Sequence, residues 1–132
     1  MSVHHLQLWV PDLERASRSW GWLLEELGYE PGRHWDSGRI WRDDTTAIVI
    51  EASPDMVPGM LYSRLRPGLN HLAFHVPQHL ELRTLLDVAP GHGWRELGDH
   101  PGHPVHGEVT VAFLEDRDGF EVELVASSRR HE

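Results

Sequence analysis

"HHLQLWVPDLER" at residues 4–15 and "NHLAFHVPQHLE" at residues 70–81 say nearly the same thing. Both run His-Leu-x-x-x-Val-Pro, from His5 to Pro11 and from His71 to Pro77. In the first copy His5, Gln7 and Trp9 alternate with Leu6, Leu8 and Val10, the period of a strand with one apolar face. Pro11-Asp12 ends it, with Asp12 placed to cap a helix. Leu13, Ala16, Trp20, Leu23, Leu24 and Leu27 then recur at helical spacing, and Gly28 stops the run. "GRIWR" and "TTAIVIEA" around "DDTT" predict a hairpin near residues 38–51. The second copy repeats the grammar. A strand at 71–76 turns His71, Ala73 and His75 to one side, a helix is predicted over 78–89 and ended by Pro90-Gly91, and "VTVAFLE" and "FEVELVA" form a hairpin about "DRDG". Gly28-Tyr29 and Gly93-Trp94 follow their histidines at nearly equal distance. The reading is an α+β fold of two βαβββ modules in one domain, 1–132: module 1 at about 1–52, a Pro- and Gly-rich connection at about 53–68, and module 2 at about 69–127.

Composition narrows the partners. Net charge is −9, and only "RLR" at 64–66 and "RR" at 129–130 are basic, which argues against a nucleic-acid face. No apolar run approaches the roughly 20 residues that span a bilayer, and the first residues lack the apolar core of a signal peptide. Cysteine is absent, so a reducing cytoplasm is the expected home and any metal must be held by His, Asp or Glu. Histidine, at 11 residues, is frequent.

Each module offers one His on its first strand and one Glu on its last. Trp41 precedes Glu51 by the spacing at which Phe113 precedes Glu123, so Glu51 and Glu123 are expected at matching places in the two hairpins. His5, Glu51, His71 and Glu123 would then form one donor set for a divalent ion: Zn, Ni, Mn, Co or Fe(II). A lone strand His or Glu is ordinarily a solvated residue; four in matched register are harder to read that way. Gln7, Trp9 and His75 share the face of the histidines and are candidates for contact with a small-molecule substrate, although Trp9 could equally pack on a strand and His75 lie at the surface. His100, His103 and His106 in "HPGHPVH" match no common metal-binding spacing. Arg64 and Arg66 could hold an anionic substrate group or be solvated. An uncovered sheet edge in each half predicts a homodimer.

At these residues the sequence resembles the vicinal oxygen chelate superfamily, which includes glyoxalase I, methylmalonyl-CoA epimerase, extradiol dioxygenases, and fosfomycin and bleomycin resistance proteins. "HHLQLWVPDLERA", "GLNHLAFHV" and "VAFLEDRDGFEVELV" resemble its first strand, fifth strand and final hairpin, and the run from Asp116 to Glu123 is the most specific match. The resemblance implies the glyoxalase/bleomycin resistance fold, with metal ligands at His5, Glu51, His71 and Glu123. It also implies Glu123 as a catalytic base, with Glu51 its symmetric partner, in lyase or isomerase chemistry through an enediolate. A metal-free binding or resistance protein and an extradiol-type dioxygenase are the other activities the same resemblance admits.

Overall fold

The structure, a computed structural model, describes residues 3–98 and 109–127. His100, His103 and His106 lie outside the described residues. The chain divides within the predicted connection into two compact units, Met1–Met60 and Leu61–Glu132.

In the first unit, β1 (His5–Trp9) leads into α1 (Leu13–Glu26), followed by β2 (Glu30–Trp35), β3 (Gly38–Arg42) and β4 (Ala47–Glu51). Asp12 has extended backbone, and its carboxylate accepts from the Arg15 N–H at 3.1 Å, so it is the helix cap the sequence predicts. Replacing Asp12 with Ala should cost about 1 kcal/mol, measured by urea denaturation, because the first turn loses an acceptor for its orphan donors. The predicted stripe is the buried face: Ala16, Trp20, Leu23, Leu24 and Leu27 are buried, as are Leu8 and Val10 of the strand before it. Their side chains fill the unit's core with Trp41, Ile48 and Ile50.

The sheet order is β1-β4-β3-β2, with β1 parallel to β4 and the other pairs antiparallel. β2 was not legible in the sequence. Its Glu-Pro-Gly-Arg-His-Trp run is exposed along almost its whole length, so it carries no alternation, and its pairing with β3 slips between Pro31 and His34.

The second unit repeats the arrangement with β5 (Leu72–His75), α2 (Leu82–Val88), β6 (Arg95–Glu96), β7 (Val109–Glu115) and β8 (Glu121–Ser127) in the order β5-β8-β7-β6. Phe74, Val76, Leu82, Leu85, Leu86, Trp94, Leu114, Val122 and Leu124 are buried. Here α2 is shorter than predicted. The chain tightens into a 3-10 turn over Ala89–His92 that takes Pro90 at its start, where a missing N–H is harmless, so Pro90-Gly91 continues the helix and Gly93 ends it. Gly28 and Gly93 match in conformation as well as position, at φ 101° and 90°. The residue after each, Tyr29 or Trp94, donates its N–H back into the helix end, to Leu24 O at 2.9 Å and Ala89 O at 3.2 Å. No helix among the described residues is long and apolar enough to cross a membrane.

Candidate functional site

In the second unit the parallel ladder pairs Ala73 with Glu123, which sets His71 diagonally across from that glutamate on the same face. His71 Nε2 lies 3.1 Å from Glu123 Oε1, and both side chains are partly buried. His71 Nδ1 lies 2.8 Å from Asn70 Oδ1. The orientation of that amide is fixed from its other end, because Asn70 Nδ2 donates to the Arg64 carbonyl at 3.1 Å. Phe113, the residue paired with Glu123 on β7, stands edge-on to the imidazole at 6.3 Å between ring centroids. His75 is exposed one turn of the pleat beyond Ala73, on the same face as His71.

The first unit does not reproduce this pair. There the ladder sets His5 opposite Ala47, Gln7 opposite Val49 and Trp9 opposite Glu51. The Val10 N–H donates to Glu51 O just as the Val76 N–H donates to Val125 O, so Glu51 answers Val125 and Val49 answers Glu123. The expected match between Glu51 and Glu123 is therefore corrected by two residues. His5 and Glu51 stand four residues apart along the ladder, about 13 Å at the usual strand rise. Glu51 is held instead by Gln7, whose Nε2 donates to Oε1 at 2.6 Å, and by the Ser37 hydroxyl, which donates to Oε2 at 3.3 Å. His5 Nδ1 lies 2.9 Å from His4 Nδ1. Trp9, beside Glu51, is 43% exposed. Among the described residues no three His, Asp or Glu side chains gather closely enough to hold a metal ion.

Arg64 has neither of the roles considered for it. Its guanidinium sits against Glu121 Oε1 at 2.9 Å, the Glu115 carboxylate and the Gly119 carbonyl, and Arg95 joins Glu115 from the other side. Burial on its own pushes the Glu115 carboxyl up, but hydrogen bonds and charge from Arg64 and Arg95 outweigh it and hold the group below its ordinary 4.5. Arg66 is exposed and donates to the Leu61 carbonyl at 2.7 Å. The residues that sequence reasoning missed are Asn70 and Ser37. Asn70 stands directly before a ligand-type histidine and was legible there, whereas nothing in sequence links Ser37 to Glu51.

A family model for the glyoxalase/bleomycin resistance protein/dioxygenase superfamily matches residues 4–113. The uncharacterized protein YqjT of Bacillus subtilis (strain 168) is 41% identical over 128 residues, covering 96% of this chain and 99% of the relative. Among solved structures, a Bacillus halodurans protein provisionally named a glyoxalase is similar with TM-score 0.78 and 30% identity, covering 94% of each chain. The fosfomycin resistance protein FosX of Listeria monocytogenes, complexed with Mn(II) and sulfate, shares the fold at TM-score 0.65 and 20% identity, over 98% of this chain and 90% of its own. The ladder order, the paired His and Glu, and these matches agree: the chain belongs to the glyoxalase/bleomycin resistance protein/dioxygenase superfamily.

Proposed function

We propose that this protein is a metal-dependent lyase or isomerase of glyoxalase type acting on a small carbonyl substrate in the cytoplasm, as a homodimer. The observation that carries the reading is the approach of His71 Nε2 to Glu123 Oε1 at 3.1 Å. Nδ1 donates to Asn70 Oδ1, which leaves Nε2 as the nitrogen turned to the Glu123 carboxylate. A contact of that length is met by a shared proton in the metal-free protein, and the same imidazole nitrogen and carboxylate oxygen suit Zn, Ni, Mn, Co or Fe(II) as ligands. The second unit therefore supplies two groups of ligand chemistry side by side, short of a full donor set among the described residues. His71 and Glu123 are two of its proposed ligands, and His5 and Glu51 are the donors the first unit offers. Glu51 is the weaker of these, since each of its oxygens already accepts a hydrogen bond.

When bound, the ion supplies a Lewis acid for the substrate's vicinal oxygens and for the negative charge that develops on them. The chain's own residues do the rest. A Glu123 carboxylate oxygen takes the proton from the carbon alpha to the carbonyl and returns it to the neighbouring carbon. Glu51, kept in place by Gln7 and Ser37, is the carboxylate the first unit offers, two rungs beyond the position that answers Glu123. The exposed ring of Trp9 offers a flat apolar surface for substrate, with Gln7 and His75 as polar contacts.

The test is elemental analysis of the purified protein with its Glu123→Gln variant. Near-stoichiometric metal is expected in the parent. The variant should bind at least about 100-fold more weakly, beyond the 10–100-fold that supporting residues around a ligand carry. Exchange of the alpha proton of small hydroxycarbonyl compounds in deuterated water, read by NMR, reports the chemistry. A parent that stays metal-free after exposure to each of the five ions overturns the reading. The second reading, a metal-free binder, is favoured by the occupied oxygens of Glu51 and the open face of Trp9. It predicts tryptophan fluorescence quenching by aromatic compounds without metal.

A further inference from the structure

We propose that Asn70 is a positioning residue for His71, and that the backbone of Arg64 sets Asn70. The hydrogen bonds form one directed chain. The Arg64 carbonyl accepts from Asn70 Nδ2 at 3.1 Å, which turns Asn70 Oδ1 toward the imidazole, where it receives the Nδ1 proton at 2.8 Å. The amide cannot be reversed without setting its oxygen against the Arg64 carbonyl. A proton is thereby kept on Nδ1, and Nε2 is the nitrogen that faces Glu123. An unrestrained neutral imidazole prefers the opposite tautomer, so the arrangement needs a cause, and Asn70 is that cause.

The carbonyl that starts the chain is itself immobilised. The Arg64 side chain is tied to Glu121, Glu115 and the Gly119 carbonyl, all at the β7–β8 turn. Tyr62 donates its hydroxyl to the Leu69 carbonyl at 2.5 Å and stacks on Phe120 with ring centroids 4.1 Å apart. The 61–70 segment is thus pinned to the hairpin that carries Glu123, so His71 and Glu123 are aligned from one piece of structure. That the tautomer serves metal binding rests on the reading above; that Asn70 fixes the tautomer does not.

The experiment separates the two. In a metal-free Glu123→Ala background, which removes the competing carboxylate, ring-nitrogen NMR at alkaline pH should find the His71 proton on Nδ1. Adding Asn70→Ala should move it to Nε2, and adding Asn70→Asp should keep it on Nδ1, since a carboxylate still accepts there. Amide spectra confirm that each variant is folded. With Glu123 intact, Mn(II) alone should bind Asn70→Ala about 10–100-fold more weakly than the parent. Asn70→Asp should fall between the two, since its carboxylate still accepts from Nδ1 but no longer donates to the Arg64 carbonyl. An Nε2 proton in the Glu123→Ala protein, or a tautomer indifferent to Asn70→Ala, overturns the proposal. So does Mn(II) affinity in Asn70→Ala equal to that of a parent that binds. If the parent binds no Mn(II), the affinity comparison falls away and the tautomer measurements alone decide the role of Asn70.

Discussion

Arg64→Met is expected to lower the free energy of unfolding by about 3–5 kcal/mol, the usual result of removing one partner from a buried ion pair. The Glu121 side chain is only 2% exposed and that of Arg64 22%, so water does not replace the lost guanidinium. Methionine fills much of the same volume, which makes the deficit electrostatic rather than a cavity. Adding Glu121→Gln should recover part of the loss, because a neutral amide is cheaper to bury than an uncompensated carboxylate. A pH series gives a second handle. Glu115 titrates below its ordinary 4.5 in the folded protein, so its contribution is complete above that value and fades as pH falls through the folded-state value. Arg64→Met should flatten this acid limb, with Arg95 keeping the remainder. A urea midpoint shift worth less than about 1 kcal/mol would show that the network stabilises little.

Trp20→Ala should be as damaging for a different reason. Trp20 is 0% exposed in α1, among the buried Leu23 and Leu24. Truncation removes its transfer free energy and leaves a cavity, together about 3–5 kcal/mol. Thermal unfolding should fall by roughly 10–20 °C, and Trp20→Phe should fall by clearly less. Little change in calorimetry would mean that the stripe does not anchor the helix.

The parts of this fold legible in the sequence are those where one physical demand decides each residue. The α1 stripe had to be apolar at helical spacing, Asp12 had to accept a backbone proton, and Gly28 had to adopt positive φ; each is found so. β2 was hidden because an exposed edge strand makes no demand on its side chains. The end of α2 falls within a residue of the expected one, but its start lies four residues later, and Pro90 opens a 3-10 turn rather than stopping the chain's helical path. At the candidate site, the His71–Glu123 approach follows from strand alternation, but the match of Glu51 with Glu123 does not survive. Equal spacing in sequence does not imply equal pairing. Four residues, 43–46, separate the paired ends Arg42 and Ala47, whereas five, 116–120, separate Glu115 and Glu121. The strand before the turn is also offset by one, so Ile40, not Trp41, stands where Phe113 does. Local pattern fixes which face a residue takes; turn length fixes which rung it occupies, and that is a tertiary fact.

The offset has a consequence for anyone who would transplant chemistry between the halves. Copying the second half's arrangement into the first would require a carboxylate at Val49, diagonal to His5, and no change at Glu51 would achieve it. Val49 is almost sealed from water, so such a graft would demand a counter-charge of its own. The two halves are thus non-interchangeable parts, alike in strand order and different in the rung at which each strand is joined.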